Sequence, residues 1–501
     1  MSNNANLYFN FVKKFPDDLS STLIQNLDGS KITYSEVISR SAKFSNTLIR
    51  LGAVKGDRIS VQVEKSIDNL CLYLACLRSG FVYHPLNTAY KSSELSYFIN
   101  DADPVIVICK QEILSVFESL IQTSNVKALL TLDSVSKGTL IDESIDASDK
   151  AEIVFSLGSD KAALLYSSGT TGQPKGIILS HANLLSNAKL LVEAWGFSPS
   201  DQLLHALPLY HIHGLFVALN CVLLSGASML WHESFNEQPI IESMKDCTVM
   251  MGVPTYYTRL LENSNLTSNN CLNMRLFISG SAPLLAETFV EFHARTGHTI
   301  LERYGMTETG INTSNPLKEE RRVGTVGKPL PGVSVRIVND EGELIKVNEK
   351  GNLQLKGSNV FSGYWKMPEK TIEDFTQDGF FNTGDLASID GDGYISIVGR
   401  SKDMIITGGL NVYPKEIELI IDGLDGVLES AVIGVPDDDF GERVIAILVV
   451  KDLSMTEKEV INFCKEKLAG FKVPKAVKFV KSLPRNAMGK VQKNLIRGEW
   501  A

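Results

Sequence analysis

From residue 153 onward the chain alternates short apolar runs with amphipathic stretches of helical length, and this alternation restricts the possible folds more than any other feature. Apolar runs near 162–166, 203–207, 227–231, 248–252 and 275–279 are separated by helical patterns at 183–195, 239–245, 256–262 and 284–296. Strand, helix, strand in succession implies α/β architecture: mostly parallel sheets with helices on both faces. Ligands of such sheets bind in loops beyond the carboxyl ends of strands. The same rhythm precedes it, with helical spacing at 34–51 and 67–79 and strands at 58–63 and 105–109. After Gly324 the pattern alternates instead, at 334–338 and 352–356, with Asn339-Asp340-Glu341-Gly342 and Asp390-Gly391-Asp392-Gly393 as hairpin turns. That segment reads as a small β-barrel or sheet. Past Arg400 come helical patterns at 414–421 and 456–468 and strands near 430–435 and 443–450, an α+β unit of about one hundred residues. The expected division is therefore a large N-terminal domain, 1–400, with a β-rich subdomain at about 324–395, followed by a smaller C-terminal domain, 401–501.

The loop after the run at 162–166 reads Ser167-Ser168-Gly169-Thr170-Thr171-Gly172-Gln173-Pro174-Lys175-Gly176. Glycines let backbone N–H groups approach an anion, hydroxyls donate hydrogen bonds and Lys175 supplies charge, so the loop suits a polyphosphate. It is not the common NTPase loop, because Lys175 follows a proline and precedes Gly176, and no Gly-x-Gly-x-x-Gly occurs to mark a dinucleotide site.

A net charge of -9 argues against a general nucleic-acid binder. Its distribution is uneven: residues 470–497 hold eight basic residues and no acidic one, either a solvated face or a surface for a polyanion. The seven cysteines have no metal-ligand or redox spacing and read as reduced core residues of an intracellular protein. The amino terminus lacks the features of a signal or transit peptide, which points to the cytoplasm. The uncharged stretch 214–231 approaches membrane-spanning length, but polar residues and a turn at Ser225-Gly226 split it into a buried helix and a buried strand. No membrane, nucleic-acid or obligatory protein partner is implied.

Four further constellations are each weak alone: Glu302-Arg303-Tyr304-Gly305-Met306-Thr307-Glu308-Thr309, Phe381-Asn382-Thr383-Gly384-Asp385-Leu386, Gly399-Arg400-Ser401-Lys402-Asp403 and Pro484-Arg485-Asn486-Ala487-Met488-Gly489-Lys490. With the glycine loop, in this order and spacing, they resemble the adenylate-forming superfamily of acyl-CoA synthetases, adenylation domains and luciferases. The resemblance runs from Tyr34 to Lys493. It implies an acid–thiol ligase using ATP and Mg²⁺: carboxylate and ATP give an acyl-adenylate and pyrophosphate, and a thiol, commonly coenzyme A, then displaces AMP.

By that resemblance, Ser167, Ser168, Gly169, Thr170, Thr171, Gly172 and Lys175 hold the β and γ phosphates. Glu308 ligates Mg²⁺, Thr307 touches the α-phosphate, Asp385 and Arg400 bind ribose, and Ala282, Tyr304 and Met306 complete the nucleotide site. Lys490 bridges carboxylate and α-phosphate, with Glu308 and Thr307 as the other catalytic residues. The C-terminal domain is implied to swing about Lys402 between half-reactions, bringing Gly408 and Gly409 toward the thiol; a plain hairpin turn is the other reading of that glycine pair.

The acid should be chosen near 208–214, 253–259, 279–283 and 302–304. These segments carry His211, His213, Arg259, Ser279, Ser281 and Arg303 where a fatty-acid enzyme would be apolar. A buried cation without an anion costs several kcal/mol, on the order of a failed ion pair, and a second substrate carboxylate would supply the anion. The wording Leu207-Pro208-Leu209-Tyr210-His211-Ile212-His213-Gly214 and Asn312-Thr313-Ser314-Asn315-Pro316 resembles the malonyl-CoA synthetases, which also accept methylmalonate. Gly310-Ile311 departs from the polar pair expected there, leaving C2-substituted malonates open. Other readings stand beside these: Arg303 paired with Glu302, Arg259 as a helix-surface charge, His211 and His213 as core histidines, another short acid such as acetate or oxalate, or an adenylation domain serving a separate carrier protein.

Overall fold

The computed structural model describes residues 4–500 except 123, 168–173, 408–409, 438–439, 452–453, 469 and 487–488. It divides into two compact units, Met1–Ser334 with Lys356–Glu373, and Val335–Leu355 with Asp374–Ala501. The β-rich segment read as part of an N-terminal domain thus packs largely with the C-terminal residues.

The first unit holds two sheets. In the larger, the strands Ile300–Met306, Leu276–Ser279, Val249–Gly252, Gln202–His205, Ser228–Trp231 and Thr22–Asn26 lie side by side and parallel. Antiparallel strands flank them, Gly310–Ser314 and Lys328–Pro329 on one edge and Lys31–Thr33 on the other. The six-stranded sheet runs Ala128–Thr131, Ile106–Cys109, Arg58–Gln62, Val82–Pro85, Lys161–Ser167 and Lys175–Ser180, parallel except for the last strand.

Local signals place the helices. Ser66 caps the helix Ile67–Ser79 through Asn69 N, and Gly80 ends it in the left-handed conformation. The reciprocal Ser180–Asn183 capping box starts His181–Ala194 directly after the strand Lys175–Ser180. The uncharged stretch resolves as read: a π-helical turn, His213–Ala218, continues as the helix Leu219–Ser225, turns at Gly226 and enters the strand Ser228–Trp231. Among the described residues no helix is long and apolar enough to cross a membrane.

Gly310-Ile311, the unexpected pair, has a packing reason. A side chain on Gly310 would meet the Asn187 amide at 2.5 Å, while Asn187 accepts from Ile311 N at 3.0 Å and donates to Ile311 O at 2.8 Å. This two-way amide clamp ties the strand Gly310–Ser314 to the helix His181–Ala194.

The second unit contains a four-stranded sheet, Ser334–Val338, Gly351–Lys356, Phe381–Ile389 and Ile395–Arg400, and a five-stranded one built on the long hairpin Val427–Asp437 and Gly441–Val450. Ile405, Ile417, Ile421, Val432, Val444, Ala446, Val460 and Cys464 form one core cluster of this unit. The basic run is less free than its composition implies. Lys472 pairs with Glu416, Arg485 with Glu429, Lys493 with Glu418 and Arg497 with Asp403, so half of its eight cations serve internal ion pairs. All seven cysteines are buried and unbridged.

Candidate functional site

Two groups of side chains emerge, one in each unit. In the first unit Arg303 sits in the middle of the strand Ile300–Met306, 3% exposed. Alternation along the strand sends its neighbour the other way: Glu302 Oε1 accepts from Leu284 N at 3.0 Å. Among the described residues no carboxylate pairs with Arg303, and its Nε and Nη2 are buried without a hydrogen-bond partner. Burial pulls its pKa down to about 9, which leaves the guanidinium charged at neutral pH.

The wall facing that guanidinium is built from loops at strand carboxyl ends. Gly280 follows the strand Leu276–Ser279, and a Cβ there would lie 2.4 Å from Arg303 Cζ and 2.5 Å from Nε, so only glycine lets the guanidinium lie against this backbone. Ser281 adopts φ 74°, a left-handed conformation that costs a non-glycine residue about 1–3 kcal/mol. Its hydroxyl lies 3.3 Å from His213 Nδ1, and His213 N donates to His211 Nδ1 at 3.2 Å. Burial first and Arg303 second push the His211 pKa down to about 3 and that of His213 well below its usual value. Both imidazoles are therefore neutral at pH 7, and Arg303 carries the charge of this group. Ser279 Oγ and His213 Nε2 are also buried without partners among the described residues.

Gly280→Ala is expected to displace the guanidinium and raise the KM for the acid about tenfold, with the KM for ATP unchanged within about twofold. Steady-state kinetics with each substrate varied in turn check this.

The nucleotide-type loop closes a hairpin. The strands Lys161–Ser167 and Lys175–Ser180 are antiparallel, with Ser167 opposite Lys175 as the final register pair. Ser168, Gly169, Thr170, Thr171 and Gly172 lie outside the described residues. Lys175 Nζ donates to Tyr364 Oη at 3.4 Å and lies 4.5 Å from that ring's centroid. Nearby in sequence to Arg303, Tyr304, Met306 and Thr307 are half-buried and Glu308 is buried in the turn before the strand Gly310–Ser314. Ala282 is half-buried beside Ser281.

In the second unit Asp385 and Arg400 are register partners on the antiparallel strands Phe381–Ile389 and Ile395–Arg400, with Arg400 Nε 2.9 Å from Asp385 Oδ1. Lys402 lies in the short turn Ser401–Asp403 that follows. Desolvation first, then Arg400 and Lys402, against the opposing Asp385 and Asp403, bring the Lys490 pKa down to about 8, although its side chain reaches the surface. Lys402, also at the surface, is likewise lowered to about 8, chiefly by desolvation. Gly408 and Gly409 lie outside the described residues.

A sequence profile of the AMP-binding enzyme family matches residues 9–365, and one of the AMP-binding enzyme C-terminal domain matches 416–490. The chain belongs to the AMP-binding enzyme family. It is 34% identical to malonate–CoA ligase of Arabidopsis thaliana, over 94% of this chain and 85% of that one. The mitochondrial malonate–CoA ligase of Homo sapiens is 34% identical over 93% of this chain and 87% of its own. Among solved structures, ATP-bound MatB from Rhodopseudomonas palustris aligns with a TM-score of 0.97 at 49% identity, covering 99% of both chains.

For this AMP-binding enzyme, the structure gathers Arg303, His211 and Ser281 as the sequence reading grouped them. Arg259 is different: it is exposed in the last turn of the helix Pro254–Glu262 and interacts electrostatically with Tyr256. The alternative pairing of Arg303 with Glu302 is not formed. His213, for which a core histidine was the other reading, is fully buried and lies between Ser281 and His211. Gly280 was not singled out at all, and its only sequence signal is its place between Ser279 and Ser281, after an apolar run.

Proposed function

We propose that this AMP-forming acyl-CoA synthetase is an ATP-dependent malonate–CoA ligase. The observation that carries the reading is the buried Arg303 guanidinium, whose Nε and Nη2 have no partner among the described residues. Leaving a charge in that state is costly unless a ligand supplies the counter-ion, and a fork of N–H donors matches a carboxylate. Malonate has a second carboxylate to offer, one methylene from the first. The names of the relatives support the same acid.

In the first half-reaction an oxygen of the free carboxylate attacks the α-phosphorus of ATP and the bond to pyrophosphate breaks, giving malonyl-AMP. In the second, the sulfur of coenzyme A attacks the acyl carbonyl and AMP departs. Arg303 grips the distal carboxylate and so fixes which oxygen reaches the phosphorus. Ser281, His211 and His213 are neutral hydrogen-bonding groups beside it. Lys175 and the loop that starts at Ser167 take the outer phosphates, and Ala282, Tyr304 and Met306 take the adenosine monophosphate portion with Thr307. Asp385 accepts from the ribose hydroxyls with Arg400 holding it in place, and Lys490 brings its ammonium to the oxygens on which charge develops.

The buried Glu308 carboxylate between Thr307 and Thr309 is an all-oxygen donor set that suits Mg²⁺. Bound there with substrate phosphates, the ion would offset the charge that builds on pyrophosphate. In this reading Lys402 would serve as the hinge of a mobile C-terminal domain, 401–501, with Gly408 and Gly409 on the thiol side. The Lys475, Lys478 and Lys481 side of the basic run would attract the phosphates of coenzyme A at long range. Buried free cysteines fit a reducing compartment such as the cytoplasm.

Pyrophosphate exchange across acetate, oxalate, malonate, methylmalonate, succinate and octanoate tests the acid. Malonate is expected to support the fastest exchange; exchange with octanoate but none with malonate would falsify the reading. For the ribose pair, Asp385→Asn is expected to raise the KM for ATP at least about tenfold while that for malonate stays within about twofold.

A further inference from the structure

The loop after the strand Arg58–Gln62 carries a buried lysine that the reaction above does not use. Lys65 is 8% exposed. Its Nζ lies 2.8 Å from His205 Nδ1, 2.8 Å from the His205 carbonyl oxygen and 2.6 Å from that of His232. His205 ends the strand Gln202–His205, and His232 follows the neighbouring parallel strand Ser228–Trp231. One amine from a loop of the smaller sheet therefore sits on the carboxyl ends of two strands of the larger. Among the described residues no carboxylate is in ion-pair contact with it. The Trp231 indole lies 4.4 Å from Nζ and stacks on the His205 ring, their planes 16° apart.

Counting hydrogens decides the protonation of this group. His205 Nε2 is 3.1 Å from the Gly214 carbonyl, which only accepts, so Nε2 bears a hydrogen. Two of the three contacts at Nζ are also carbonyls, so Nζ donates to both. The remaining contact, Nζ to Nδ1, then requires one more proton, on either nitrogen; without it two lone pairs would face each other at 2.8 Å. Burial lowers the pKa of both groups, so the pair holds this one proton and not a second. A cation over the indole face is favoured as well.

The other end of the imidazole reaches the acyl wall. Gly214 follows His213 within the π-helical turn His213–Ala218, and its carbonyl accepts also from Leu219 N. The turn is packed without slack, because a Cβ on Gly214 would lie 2.1 Å from the Pro208 carbonyl. His213 contacts Ser281 and His211 from this turn.

We propose that Lys65 and His205, sharing one proton, are positioning residues of the acyl site. The imidazole N–H holds the Gly214 carbonyl, so the turn presents His213 and His211 beside Arg303, and the pair's charge joins that of Arg303 in favouring a dianionic acid over a monoanionic one. This inference rests on the dicarboxylate reading above.

Lys65→Met tests it with malonate, propionate and ATP each varied. The expected result is a malonate KM raised about tenfold, kcat within about threefold, and unchanged KM for ATP and kcat/KM for propionate. Equal losses toward malonate and propionate would mark a merely structural role and overturn the proposal. ¹⁵N-histidine spectra of the wild-type enzyme, assigned with His205→Gln, provide a second readout that does not depend on the stability of Lys65→Met. His205 is expected as the Nε2–H tautomer or the imidazolium; a neutral Nδ1–H tautomer overturns the proposal. A wild-type enzyme that ignores malonate refutes the substrate reading, whereas wild-type malonate turnover with an unchanged KM in Lys65→Met refutes only the role of the pair.

Discussion

Arg303→Met is expected to lower kcat/KM for malonate by roughly 10²- to 10³-fold, about 3–4 kcal/mol, while the KM for ATP changes less than about threefold. The size follows from the environment: a guanidinium 3% exposed, charged at neutral pH and, among the described residues, without a protein carboxylate would meet its anion where water does not screen the pair. Methionine keeps much of the volume, so cavity formation contributes little. The same substitution should leave the ligand-free protein at least as stable as the wild type, because it removes a buried charge that the fold leaves uncompensated. Malonate should raise the melting temperature of the wild type and not that of the variant. Kinetics and paired melts check both halves. An unchanged malonate KM would count against distal-carboxylate binding, and a variant that melts far below the wild type would show that Arg303 has an internal partner in solution.

Lys490→Ala is expected to slow adenylation by roughly 10²- to 10³-fold and to leave thiolation of preformed malonyl-AMP within about threefold. In the role proposed for it, the cation stabilises charge that develops only as pyrophosphate leaves, which the second half-reaction lacks. Its pKa, lowered to about 8 by desolvation and by Arg400 and Lys402, fixes the pH sign: the ammonium is present below that value and is lost as pH rises through it. Adenylation by the wild type should therefore decline on the alkaline side with a limb near pH 8, measured by pyrophosphate exchange. Lys490→Arg should move the limb upward, since guanidinium keeps its proton. A limb near pH 8 that survives in Lys490→Ala would assign the titration to Lys402, whose pKa is depressed to a similar value.

The fold was legible where its signals are local. Residues 67–79 read as a helix and form one with those bounds, because Ser66 and Gly80 mark its ends within the sequence itself. The helix read from 256 begins earlier, as Pro254–Glu262, where Pro254 occupies the first turn and needs no N–H partner. The run read at 203–207 is shorter as a strand, ending at His205, whose carbonyl is held by Lys65 and His232 N. Lys65 reaches that carbonyl from 140 positions away in the chain, a contact no local pattern signals. The basic run shows the same limit: composition counts cations, but Glu416, Glu418, Glu429 and Asp403 answer four of them from outside the run.

The sequence by itself determined the alternation of strands and helices, the order of the nucleotide constellations and the presence of one arginine where an acyl chain would lie. Hydrophobic period, caps and turn residues are properties of neighbours along the chain, so they survive in a string of letters. Only the tertiary structure decided that Arg303 has no carboxylate partner among the described residues, that Gly280 leaves room for its guanidinium, that Arg259 is exposed and that Lys65 reaches His205. Burial and charge pairing depend on which distant segments meet, and an uncompensated cation becomes informative only once its surroundings are known to be dry.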